Sequence, residues 1–168
     1  PNDVVLGLKE LQRLTRGALA EMRNLLLELR PRAILETDMG TLLKHLTDAV
    51  TGHTQIPVNL EVTGQGLLPE ELQMAFYRVA QEALNNIIKH ARAKKIAVKF
   101  LNQSDRIELT IQDDGRGFDA AKRVAEQFGL KIMQERAETV GAHLSIQSQP
   151  SFGTEIKLAW SFSKDKDL

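Results

Sequence analysis

The sequence predicts an α+β protein: a long α-helix, then a two-layer sandwich of about five strands with helices on one face. Three observations lead there. Apolar residues recur at heptad spacing through the leading segment. Later stretches carry the apolar arc of an amphipathic helix. Between them lie short runs that alternate apolar and polar residues, as half-buried strands do.

Residues 3–30 form the leading helix. Leu8, Thr15, Met22 and Leu29 repeat every seven residues, and Leu11, Ala18 and Leu25 fill the second heptad position. Leu14, Leu19 and Leu26 widen the stripe, which suits a helix of a four-helix bundle. The alternative is a helix lying on its own globular core. Pro31 ends it, because proline disfavours helical geometry in the residue before it. Residues 32–37 read as a connector. Residues 39–50 are a second helix, with Leu42, Leu43, Leu46, Ala49 and Val50 on one side and Thr51-Gly52 closing it. Val58, Leu60 and Val62 alternate with Asn59, Glu61 and Thr63 as a strand.

After a turn over 64–68, Pro69 fits a first helical position, and Glu70 and Glu71 suit the positive end of the helix dipole. This helix runs to His90 on an arc of Leu72, Phe76, Val79, Ala80, Ala83, Leu84 and Ile87. Ile96, Val98 and Phe100 and then Ile107, Leu109 and Ile111 make two strands joined by a hairpin loop over 102–105. Residues 120–127 read as a short helix, and 130–140 as another, ended by Gly141. A final hairpin pairs 144–148 with 154–162 around Pro150-Ser151-Phe152-Gly153. The charged tail, 163–168, is expected to fray.

The chain has 168 residues, enough for one well-filled core. Its 22 basic and 22 acidic residues balance, so it lacks the field that tracks a phosphate backbone, and direct nucleic-acid binding is not expected. The absence of cysteine excludes a disulfide framework and any zinc site built on thiolates. No apolar run approaches the ~20 residues that span a bilayer, and no signal peptide opens the chain. It begins at Pro1, without methionine and inside a periodic helix, and reads as a fragment of a longer protein.

Four segments carry chemistry. On the helix that ends at His90, Glu82 and Asn86 lie about 40° apart, and Lys89 falls about 20° to the other side of Glu82. An Asn carbonyl suits Mg²⁺, which keeps several waters and takes its other ligands from phosphate. A carboxylate one turn earlier can orient or deprotonate a nucleophile. The same strip is also what the solvated face of an amphipathic helix offers. In Asp113-Asp114-Gly115-Arg116-Gly117, glycines let a ligand approach the backbone closely, and an aspartate at a strand end can accept a hydrogen bond from an exocyclic amine. An ordinary Asp-Gly turn fits that segment equally. Gly129 precedes a helix, where free N–H groups and the dipole make an anion site, or else it is a plain loop glycine. Gly153-Thr154 opens the last strand, and threonine is a good strand former in its own right. His90 lies near a helix C-terminus, where capping is its ordinary role. The four histidines have no metal-ligand spacing.

In their order, these segments resemble the ATP-binding domain shared by histidine kinases and gyrase-type and mismatch-repair ATPases, over roughly residues 39–162. A narrower resemblance is carried by Glu28-Leu29-Arg30-Pro31, by Gln81-Glu82-Ala83-Leu84-Asn85-Asn86 through Lys89-His90-Ala91, and by Gly129 through Ala137. These look like sensor histidine kinases of the nitrate/nitrite-sensor type. The resemblance implies a mixed, mainly antiparallel sheet, ATP as ligand and Mg²⁺ as its cation. It implies Asn86 as the Mg²⁺ ligand, Glu82 as the catalytic carboxylate near the γ-phosphate, and Lys89 and His90 toward the phosphates. It places Asp113 on the adenine amine, with Gly115 and Gly117 shaping the pocket. Gly129 and Leu130 begin the phosphate-side helix after a lid over 118–128, and Thr154 supports Asp113 or a water on adenine.

Residues 1–33 would then be the second helix of a dimerisation hairpin, 34–163 the ATP-binding catalytic domain, and 164–168 the tail. None of the histidines has the setting of a phosphoacceptor, so the acceptor is expected upstream. The implied partners are a second copy through the hairpin and a response regulator with a helix-turn-helix output domain. The implied setting is the cytoplasmic part of an inner-membrane sensor. Two rivals of other function are an anti-sigma-type serine kinase and a nucleotide-sensing or dimerisation module without phosphotransfer.

Overall fold

The computed structural model describes residues 2–119 and 128–162. The short helix expected over 120–127 and the tail over 163–168 lie outside the described residues. Helix α1 spans Asn2–Leu29, α2 Pro31–Leu35 and α3 Met39–Thr54, followed by strand β1, Val58–Thr63. Helix α4, Glu70–Asn86, continues into a π-helical turn, Ile87–Ala91. Strands β2, Ile96–Asn102, and β3, Arg106–Asp113, form a hairpin. Helix α5, Phe128–Thr139, precedes β4, His143–Gln149, and β5, Gly153–Ser161.

The five strands form one mixed sheet in the order β1-β2-β3-β5-β4. Only β1 and β2 are parallel; the other pairs are antiparallel. The period-two pattern sorts the faces. Ile96, Val98 and Phe100 of β2, Ile107, Leu109 and Ile111 of β3, and Ile156 and Leu158 of β5 are buried under the helices. The other face carries ion pairs, Lys157 to Glu108 at 3.0 Å and Lys99 to Glu61 at 3.4 Å. Such exposed pairs contribute little to stability.

Helix α4 is the central element of the helical layer. Leu72, Phe76, Val79, Ala80, Ala83 and Leu84 recur at spacings of one helical turn and are all buried. Phe76 meets Phe100 of β2 edge-on, with centroids 6.4 Å apart. Each large apolar side chain buried here stabilises the fold by about 1.5–3 kcal/mol. Near the start of α4 the fully buried Gln73 donates through Nε2 to the carbonyls of Ile34, at 3.1 Å, and Thr37. One side chain thus anchors the segment that joins α1 to the rest.

Three boundaries differ from the sequence reading. Pro31 ends α1 but also begins α2, since its fixed φ suits a first helical turn. Pro69 is the N-cap of α4 rather than its first residue, with extended backbone at φ −49, ψ 140. Gly52 does not close α3; the helix continues to Thr54 and ends where Gln55 turns left-handed at φ 62.

The reason Gly52 stays helical is its neighbour. Helix α1 crosses α3 with Gly17 against Gly52, and a Cβ on Gly17 would lie 2.5 Å from Gly52 Cα. Arg13 secures the crossing by donating to the carbonyls of Thr51, at 3.0 Å, and Gly52. A cation there also complements the negative end of the α3 dipole. Gly17, Ala20 and Leu27 therefore face inward and are buried. The heptad residues face outward: Leu8 is 61% exposed, Leu11 59%, Met22 60% and Leu25 56%. One side of this helix thus lies on the chain's own globular core, and the heptad side is exposed. Among the described residues no helix is long and apolar enough to cross a membrane.

Gly17→Ala is expected to wedge α1 from α3 and destabilise the protein by about 1–3 kcal/mol, the usual range for overpacking. A thermal melt that coincides with that of the unaltered chain would show that the helices do not pack through these glycines.

Candidate functional site

The site is built at the ends of β3 and β5, beneath the second half of α4. Asp113 continues the inward-facing series Ile107, Leu109, Ile111, so the register carries a carboxylate into the core, where it is only 4% exposed. Its partner across the sheet is Thr154. The N–H of Gly115 donates to Asp113 Oδ1 at 2.7 Å, and the N–H of Thr154 also donates to this carboxylate. Burial pushes the Asp113 carboxyl above its usual range; the nearby Asp114 adds to this, and the two N–H bonds oppose it.

The loop after Asp113 is clamped on both sides. Arg116 donates its N–H to Ala91 O at 2.7 Å and accepts from the N–H of Ser151 at 2.7 Å. Gly117 has φ +56, and a Cβ there would run into the Gln149 carbonyl, so this position requires glycine. Asp114 points away and caps the 94–95 backbone, accepting from Lys94 and Lys95 N–H at 2.7 and 2.9 Å.

A cleft of about 540 Å³, its open mouth included, lies between this loop, α4 and the start of α5. Of the residues singled out from sequence, Asn86, His90, Asp113, Gly117, Leu130 and Thr154 line it. Glu82 stands just beyond, beside Gly129. A Cβ on Gly129 would collide with Glu82 Oε1 and lie 3.5 Å from Asn86 Nδ2. Gly129 itself sits within the first turn of α5 rather than ahead of it. Such a turn leaves backbone N–H groups without intrahelical partners. Gly115 is packed against Ala91 O and Asp113 Oδ1 and shapes the loop from behind.

Lys89 is not brought to the cleft; it is exposed and absent from the lining. The strip drawn through Glu82, Asn86 and Lys89 assumes a continuous α-helix. The chain instead widens into a π-turn at Ile87, so Lys89 leaves that strip. The same turn brings His90 and the Ala91 carbonyl to the loop. Sequence reasoning also missed Ser148 and Arg116. Ser148 is half-buried and bonded to the backbone of Phe118 and Gly153 and to the Thr154 hydroxyl. The register of the last hairpin, symmetric about Ser151, was the signal that could have found it.

What the fold and the cleft define together is a nucleotide-binding sandwich whose pocket lies between helices and the ends of antiparallel strands. A dinucleotide fold would place it at the switch point of a parallel sheet. The chain belongs to the histidine kinase-, DNA gyrase B- and HSP90-like ATPase family, whose model matches residues 71–164. It is an ATP-binding catalytic domain of the histidine-kinase type. Sensor protein VraS of Staphylococcus haemolyticus is 32% identical over 158 residues, 94% of this chain and 45% of that protein. The signal transduction histidine-protein kinase/phosphatase DegS of Brevibacillus brevis is 33% identical over 92% of this chain and 40% of its own length. The chain thus spans less than half the length of these relatives. The ATP binding domain of PrrB from Mycobacterium tuberculosis shares the fold with a TM-score of 0.58 and 26% identity, over 74% of this chain and 94% of that one.

Proposed function

We propose that this chain is the ATP-binding catalytic part of a two-component sensor histidine kinase of the nitrate/nitrite-sensor type. It would deliver the γ-phosphate of ATP to a histidine upstream of Pro1. The observation that carries the reading is one cleft with two chemically distinct ends. A buried carboxylate lies at one end. At the other are Asn86, Glu82 and the first turn of α5. Asp113 is assigned to the adenine amine, with Thr154 beside it. Asn86 is assigned to Mg²⁺, because a single side-chain carbonyl with water and phosphate oxygens suits that ion. When bound, Mg²⁺ draws charge from the phosphate oxygens.

The protein's own residues then have separable tasks. Glu82 Oε1, beside Gly129, holds a proton-accepting oxygen on the phosphate side. The N-terminal turn of α5 lies beside Glu82 and Asn86, where the positive end of a helix dipole would face the transferring group. His90 contributes a polar wall, and Leu130 and Phe118 exclude water. Residues 1–33 are assigned to a dimerisation hairpin, the catalytic domain to 34–163, and the tail to 164–168. The exposed heptad face of α1 supports the hairpin. A homodimer through that face and a response regulator with a helix-turn-helix output domain complete the proposed assembly.

Asn86→Ala is expected to lower Mg²⁺-dependent ATP affinity at least about tenfold, or ~1.4 kcal/mol, while metal-free binding stays the same. Calorimetric titration with and without Mg²⁺ checks this, and an unaltered Mg²⁺ dependence removes Asn86 as the ligand.

Asp113→Asn is expected to weaken ADP binding by roughly 10- to 100-fold, the range for a hydrogen bond to a charged group. Because burial raises the Asp113 pKa, wild-type affinity falls on acidification at a pH above the ordinary aspartate range, and the variant lacks this step. The stability sign is opposite. A raised folded-state pKa gives stability that is present below the unfolded pKa and lost as pH rises through the folded one. Ionised Asp113 therefore costs stability at neutral pH, and the Asn variant should melt no lower than wild type. ADP titrations and melts across pH check both signs.

A longer polypeptide that includes the upstream helix is expected to form acid-labile phosphohistidine from ATP. If it binds ATP but never forms that species, the kinase assignment is wrong.

A further inference from the structure

We propose that Ser148 is a positioning residue: it fixes the direction of the Thr154 hydroxyl and so sets a preference for a 6-amino over a 6-oxo purine. This rests on the assignment of Asp113 and Thr154 to the base. It adds a residue that no motif singled out.

The direction of the Thr154 hydroxyl follows from a count of hydrogens. Ser148 on β4 is registered opposite Thr154 on β5. Its Oγ has three partners: the N–H of Phe118 at 2.9 Å, the carbonyl of Gly153 at 3.0 Å and Thr154 Oγ1 at 2.9 Å. An amide N–H can only donate, a carbonyl can only accept, and a hydroxyl has one hydrogen. The Phe118 N–H donates to Ser148, and the Ser148 hydrogen goes to the Gly153 carbonyl. The remaining bond must then be donated by Thr154.

The consequence lies in the cleft. With its hydrogen committed to Ser148, the Thr154 hydroxyl presents only lone pairs to the pocket that it lines. Its backbone N–H is already turned to the Asp113 carboxylate. When ionised, Asp113 also accepts only. Where β3 and β5 pair at Asp113 and Thr154, the side-chain wall is therefore all acceptor. A 6-amino ring offers hydrogens to such a wall. At position 6 itself a 6-oxo ring offers a carbonyl oxygen, which the wall repels; the ring's one hydrogen on that edge sits on the neighbouring N1.

The arrangement is held rigidly. Gly153 has φ +83, and a Cβ there would strike the Asp113 carbonyl, so the turn that carries the Gly153 acceptor cannot slide. Without the Ser148 hydroxyl, the Thr154 hydrogen loses its acceptor. It becomes free to turn into the cleft and donate to a 6-oxo group. The expected signature is a change in base preference, beyond any general loss of affinity.

The test is calorimetric titration of ADP and inosine diphosphate against the unaltered chain, Ser148→Ala, Ser148→Cys and Ser148→Thr, each with a thermal melt. The unaltered chain should prefer ADP. Ser148→Ala should lower the ADP-to-inosine preference about fivefold, the scale of one net hydrogen bond. Ser148→Cys keeps the volume with a weak donor and acceptor, and should lose preference as well even if the Ala variant folds poorly. Ser148→Thr restores the hydroxyl and should return the preference to within about twofold of the unaltered value. Equal weakening of both nucleotides with the ratio intact would mean that Ser148 only supports the fold, and the proposal fails. If the unaltered chain itself shows no preference for ADP, the adenine assignment of Asp113 fails first.

Discussion

The register of β3 between its two neighbours is the constraint on which the site depends. Side chains alternate across a strand, so the parity that buries Ile107, Leu109 and Ile111 also buries Asp113. The same register sets Asp113 against Ile96 on β2 and Thr154 on β5. A slip of one residue would turn the carboxylate to the solvated face and the apolar series with it. The core therefore enforces the site: the apolar contacts that stabilise the sheet hold a carboxylate where burial disfavours its charge.

That carboxylate is tolerated because the backbone comes to it. The N–H groups of Gly115 and Thr154 supply the hydrogen bonds it would otherwise take from water. For this the chain must turn tightly twice, at 115–117 and at 151–153, and glycine meets both demands. Gly117 and Gly153 each have positive φ and a carbonyl in the place of a side chain. The loop is then fixed to the π-helical turn after α4 through Ala91 and to the last hairpin through Ser151. The Asp113 wall of the cleft is thus held by the protein's own backbone.

The helical stem obeys a different rule. Its small residues, Gly17 and Ala20, let α1 approach α3 closely, while its large heptad residues remain outside. The heptad stripe was legible in the sequence because periodicity is a local property. The inward stripe was not, because Gly17 and Gly52 carry no hydrophobic signal and mean something only when opposed. Gly52 read alone as a helix stop. Against Gly17 it is a contact residue, and the helix runs through it.

The sequence by itself determined the order of elements, the apolar faces of α4 and of the strands, and the four segments that meet at the cleft. These depend on periods of two and 3.6 residues and on the fixed backbone preferences of glycine and proline. Only the tertiary structure decided what those segments do together. It widened the helix after Asn86, which removed Lys89 from the strip and brought His90 in. It set Gly129 against Glu82 across 47 residues of chain. It made Ser148 the partner of Thr154. Each of these is a through-space relation set by strand register or helix winding, and neither is encoded in the identity of any one residue.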